Sequence, residues 1–194
     1  TLCGHGDQAG ERAGQWARAI GLPENLVEDL VTAGCHHDDG KDDPRMQAAL
    51  GAAVDESGFL LLEEPRQRER RRQLSKSRLP RRYWNRSMRM AGVPPGWRHE
   101  AASADRLEEQ LEEGEQTAHD PDLVMHLVLS HHGRFRGPGP VCLPEHGPAP
   151  RHQDPNTPSW AEAISRFHRL NDRYGPYTLA LVEAILRLAD WDVS

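Results

Sequence analysis

The stretch from Glu24 to Lys41 constrains the fold more than any other part of this chain. Leu26, Val27, Leu30 and Val31 recur at the spacing of a buried helical face, which predicts a helix over Glu24 to His37. His37 falls seven residues after Leu30, two turns along that face, so an imidazole points into the core rather than to solvent. Asp38, Gly40 and Lys41 follow at once. A helix that ends inward on His-Asp must be met there by other elements that satisfy both groups.

The other segments have the same period. Ala9, Ala13, Trp16, Ala17 and Ile20 predict a first helix that Gly21-Leu22-Pro23 ends, and Pro44 opens a short one to Ala53. Helices are expected from His99 to Glu113 and from Asp122 to His132, the latter with Asp120-Pro121 as its start signal. Ser159 to Tyr174 and Pro176 to Trp191 close the chain. The last carries Leu179, Leu181, Val182, Ile185, Leu186 and Leu188, apolar enough for a central helix, and Trp160, Phe167 and Tyr174 are at core spacing. No segment alternates as a strand and there is no internal repeat, so the expected class is all-α. The 194 residues suit one domain, 1–194. It is interrupted by a basic insertion or arm over 55–98 and a long Gly/Pro-rich loop over 133–158.

Charge is unevenly placed. Between Arg66 and Arg98 lie twelve of the 24 Lys plus Arg and one acid, Glu69, although the whole chain carries −6. An acidic body with a basic arm suits a metal site beside a phosphate-binding surface. Tyr83, Trp84 and Trp97 interleave with Arg70, Arg71, Arg72, Arg81 and Arg82, which favours a strand-binding arm over a merely solvated insertion: rings stack on bases while guanidinium groups follow the backbone. Cys3, Cys35 and Cys142 are odd in number and lack a CxxC spacing, which argues for a reducing cytoplasm, with Cys35 as a packing residue. No apolar run is long enough to span a membrane, no signal peptide is visible, and no Walker motif is present. The first residue is Thr, as in a processed chain or a piece of a longer one.

Along the chain come His37-Asp38, then His99 within Arg98-His99-Glu100, then His131-His132-Gly133, and last Asp190. Imidazole and carboxylate together suit manganese, iron, cobalt, nickel or zinc. The adjacent His37 and Asp38 can serve two ions only if the carboxylate bridges them. Of the neighbouring His36 and His37, the spacing to Gly40-Lys41 favours His37. Lys41 is placed either to cap a helix C-terminus or to meet a phosphate, and its motif favours the phosphate. His119, His126, His146, His152 and His168 lack such context and read as solvated or satisfied structural residues.

This order resembles the HD superfamily and, within it, the HD nuclease domain of the type I CRISPR-associated helicase–nuclease. The resemblance covers nearly the whole chain, from His5 ahead of the first helix to Arg187, Asp190 and Ser194. It implies an HD-type helical bundle with two divalent transition-metal ions (manganese, iron, nickel or cobalt). One would be held by His5, His37, Asp38 and Asp190, the other by Asp38, His99, His131 and His132, with Asp38 shared. It implies that Lys41 contacts the scissile phosphate and that Ser194 lies against the DNA near the ions. The implied activity is cleavage of single-stranded DNA in CRISPR interference, fed by a fused or separate helicase after a guide-RNA complex opens the duplex. The long basic stretch is not part of the family's motif set.

Two other classes compete. HD phosphohydrolases of small nucleotides or cyclic dinucleotides share the ligand order. The Gly-Tyr-Pro signature of the cyclic di-GMP group is missing, however, since Gly-Arg-Phe-Arg-Gly-Pro-Gly-Pro follows His132. The basic arm also favours a polymer. A non-catalytic adaptor is disfavoured by the complete ligand set.

Overall fold

A computed structural model describes residues 1–62, 73–133 and 160–194. Among these, seven α-helices carry nearly all the regular structure: α1 (Leu2–Ala19), α2 (Glu24–His36), α3 (Pro44–Leu50), α4 (Arg81–Met90), α5 (His99–Glu112), α6 (Pro121–Ser130) and α7 (Trp160–Asp192). A 3-10 turn, Asp39–Asp42, joins α2 to α3. The expected all-α class holds, with one small exception. Ala53–Val54 and Leu60–Leu61 pair as a two-residue antiparallel hairpin. Asp55 closes its turn by accepting from Ser57 N and Phe59 N, a side-chain turn that strand alternation does not reveal.

The first helix begins seven residues earlier than its apolar period suggests. Thr1 caps it, its Oγ1 accepting from Gly4 N at 3.3 Å, so His5 lies within α1 rather than ahead of it. The four glycines of α1 obscure the helix in the sequence, and close backbone packing against α2 explains two of them. A Cβ on Gly6 would stand 2.3 Å from Cys35 O, one on Gly10 2.7 Å from Cys35 Sγ, and one on Gly34 of α2 2.5 Å from Gly10 Cα. The two backbones meet where neither can carry a side chain, and that contact outweighs the low helix propensity of glycine.

Helix starts follow the expected capping. Asp43 accepts from Arg45 N and Met46 N ahead of Pro44, and Asp120 accepts from Leu123 N ahead of Pro121. At Gly175 (φ 75°) the last helix breaks, and Pro176 starts its second half, so two packed segments occupy 160–192 as expected. Leu30, Leu107, Leu123, Leu127, Leu170, Leu179 and Leu186 fill the core between α2, α5, α6 and α7. Phe167 and Tyr174 pack against it, and the Trp160 side chain is outside the described residues. The second half of α7 is central on one face only. Leu179, Val182, Ile185, Leu186 and Ala189 are buried, whereas Tyr177, Leu181, Leu188 and Trp191 are exposed.

The basic stretch divides. Arg70, Arg71 and Arg72, like the loop expected over 133–158 with His146 and His152, lie outside the described residues. Residues 73–90 are not a free arm: Gln73 is buried, and α4 starts after Pro80 and buries Ser87, whose Oγ donates to Trp84 O. Its four arginines are exposed while Tyr83, Trp84 and Met88 are partly buried. No helix among the described residues is long and apolar enough to cross a membrane.

Candidate metal centre

The core brings together all seven side chains expected as ligands. His5 comes from α1, His37 from the end of α2, Asp38 from the approach to the 3-10 turn and His99 from the first position of α5; His131 and His132 follow α6, and Asp190 comes from α7. Successive rings stand in contact, with centroids 5.5 Å apart for His5–His37, 5.0 Å for His37–His131 and 4.1 Å for His131–His132.

Asp38 lies at the middle, and its two oxygens face different partners. Oδ2 is 3.7 Å from His5 Nε2, 3.6 Å from His37 Nε2 and 2.5 Å from Lys41 Nζ. Oδ1 is 3.2 Å from His99 Nε2 and 3.8 Å from His131 Nε2. Asp190 Oδ1 joins the first side, 3.0 Å from His5 Nε2 and 3.5 Å from His37 Nε2. His132 joins the second, its Nε2 3.2 Å from His99 Nε2. Two donor groups result, His5, His37 and Asp38 on one side and His99, His131 and His132 on the other, each with its donor atoms within 4.8 Å of one another.

Backbone carbonyls set the direction of the two innermost rings. His37 Nδ1 donates to Gly34 O and His131 Nδ1 to Val128 O, both at 2.7 Å. Each Nε2 is thereby turned to the centre, the orientation in which a ligating imidazole is usually held. His37 Nε2, His131 Nε2 and Asp38 Oδ1 are buried without a hydrogen bond. Three such atoms in one place carry a substantial desolvation cost. Two imidazole nitrogens and a carboxylate oxygen that converge without a hydrogen bond fit a divalent cation on each side of Asp38.

The electrostatics of Asp38, Asp190 and His131 agree. Burial alone would raise the Asp38 carboxyl, but His37, His99 and Lys41 outweigh it and hold the group well below the usual carboxylate range. Burial also opposes ionisation of Asp190, yet His37 and His5 keep it low. Both carboxylates are therefore ionised at neutral pH. Burial, with His37 and His132 nearby, pushes His131 well below the ordinary imidazole value, which keeps its nitrogen available as a donor.

Several supporting contacts were not evident from the sequence. Gly40 N donates to Ser103 Oγ at 2.8 Å, and a Cβ on Gly40 would stand 2.2 Å from His99 O, so the turn after Asp38 is pressed onto the start of α5. Arg187 Nε donates to His131 O at 3.0 Å, and its Nη2 to Ser130 O, capping α6 where the paired histidines begin. Glu100 is buried with Oε2 3.4 Å from His99 Nδ1. No periodicity or motif spacing marks Ser103, since its role depends on a turn 63 positions away. His36 pairs with Asp39 at 2.7 Å and joins neither donor group, in keeping with the preference for His37. His126 is a satisfied core residue, its Nε2 2.6 Å from Glu183 Oε1, and His119 pairs with Glu28 at the surface. Arg81 and Arg82 are exposed on α4. Ser194 Oγ donates to Asp190 Oδ1 at 3.3 Å. No family model, curated protein or solved structure matches the chain.

Proposed function

We propose that this chain is a divalent-metal-dependent nuclease of the HD type that hydrolyses phosphodiester bonds of single-stranded DNA. The observation that carries the reading is Asp38, a buried carboxylate whose oxygens face two separate sets of imidazole nitrogens. His5, His37, Asp38 and Asp190 would hold one cation, and Asp38, His99, His131 and His132 the other. Manganese, iron, nickel and cobalt suit this mixed nitrogen and oxygen set. Such ions, when bound, supply a water ionised near neutral pH and positive charge against the phosphoryl oxygens.

The chain's own residues do the rest. Hydrogen bonds to Gly34 O and Val128 O fix His37 and His131, so the donors need no reorganisation. Lys41 Nζ, shared between Asp38 Oδ2 and Ser75 O, brings an ammonium to the edge of the centre, where it can orient a phosphate. His132, exposed beside buried His131, marks an open side through which a strand can approach. The exposed arginines of α4 supply sequence-independent attraction to a polyanion.

Two carboxylates among the ligands leave two divalent ions with net positive charge, suited to an anionic diester. The basic residues favour a polymer over a compact nucleotide. In this reading the substrate strand is delivered in the cytoplasm by a helicase, fused or separate, after a guide-RNA effector complex has opened the duplex. A circular single-stranded DNA, incubated with manganese or nickel beside a panel of nucleotides and cyclic dinucleotides, tests it. The circle is expected to be linearised and degraded. Hydrolysis of nucleotides with the circle intact would assign the centre to a small-molecule phosphohydrolase instead.

A further inference from the structure

Residues 73–76 run along the edge of the centre and are fastened at each position. Leu2 N donates to Gln73 O at 2.8 Å. The Gln47 amide grips Leu74 on both sides, accepting from its N–H at 2.8 Å and donating to its carbonyl at 2.9 Å, and also donates to Lys41 O at 2.8 Å. Ser75 O accepts from Lys41 Nζ at 3.3 Å. Lys76 Nζ donates to Ser194 O at 2.9 Å, and Ser194 Oγ reaches Asp190. Two lysines therefore flank Ser75, one bonded to Asp38 and the other one residue removed from Asp190.

Lys76 is exposed, and its partner is a main-chain oxygen at an exposed position. A bond of that kind contributes little and is readily exchanged for a charged acceptor. Arg78, Arg81 and Arg82 follow in the chain, all exposed, and the Arg82 guanidinium lies 4.9 Å from the centre of the Tyr83 ring. We propose that Lys76 binds the phosphate next to the one held over the centre, and that it thereby selects a strand over a single nucleotide. The inference rests on the nuclease reading and adds a residue to it that is not a metal ligand. Gln47 is a positioning residue in this scheme, because it ties the backbone of Lys41 to the segment that carries Lys76.

The test compares the parent with Lys76→Gln and Lys76→Arg, all loaded with manganese. Three quantities are read: kcat and KM on a single-stranded oligonucleotide, turnover of bis(p-nitrophenyl) phosphate, and the salt dependence of strand binding. The small diester has no neighbouring phosphate and should be hydrolysed equally by all three proteins. Lys76→Gln should raise the oligonucleotide KM about threefold to tenfold with kcat unchanged, and flatten the log–log salt slope by about 0.7. Lys76→Arg should restore both. Parallel losses on both substrates, or no rescue by arginine, would make Lys76 a structural tie and overturn the proposal, as would an unchanged oligonucleotide KM. Failure of the nuclease reading itself shows separately, as a parent that hydrolyses the small diester but neither binds nor cuts the strand.

Discussion

With its oxygens turned toward different histidines, Asp38 can be held in place only if the residues around it are held first. Gly40 and Ser103 do this. The turn after Asp38 has no room for a side chain at position 40, and its N–H finds a buried hydroxyl on α5. Ser103→Ala would leave that donor unpaired in a site closed to water. It should lower stability by about 1–3 kcal/mol in chemical denaturation with an unchanged m value. A loss within experimental error would show that the Gly40–Ser103 bond does not fix the turn. The seven clustered residues themselves were legible in the sequence because each is a histidine or aspartate in a recognisable local setting. The contacts of Ser103, Gln47 and Arg187 were not, although Arg187 stands in the terminal motif, because their partners are backbone groups brought near only by the fold.

Helix ends carry the site, and their legibility varies with what specifies them. Where an apolar stripe shows, as in α2, α5 and α6, the sequence places the helix to within a few residues, and in α6 the Asp120 cap marks the start as well. The start of α1 is hidden because close packing selected glycine there, and α4 because arginines occupy its surface. The α6–α7 pairing illustrates a link invisible to either pattern. Asp122 accepts hydrogen bonds from Arg169 at 3.0 Å and Arg166 at 3.2 Å. Arg169 first, and then Arg166, hold its carboxyl below the ordinary range against the opposing effect of burial. A carboxyl lowered in the folded state stabilises fully above its unfolded pKa, roughly 3.9, and ceases to do so as pH falls through its folded value. Asp122→Asn should therefore cost about 1 kcal/mol at pH 7, and the gap to the parent should close below about pH 4. A gap independent of pH would assign the effect to packing.

At the scale of the whole molecule, a helical core brings five chain segments to one centre, with candidate ligands as far apart in sequence as His5 and Asp190. Asp38 and Asp190 bring two carboxylates to that centre, Lys41 lies at its edge, and Lys76 and the arginines of α4 are exposed. A nucleotide-sized substrate would need only the centre, whereas a strand would use both the centre and those exposed groups. The account depends on two cations sharing Asp38. Equilibrium dialysis against manganese, followed by metal analysis of the parent and of Asp38→Ala, tests this directly. Two ions per chain are expected in the parent and fewer than one in the variant, with the fold retained by circular dichroism. A single ion per chain, or two that persist without the Asp38 carboxylate, would contradict the account.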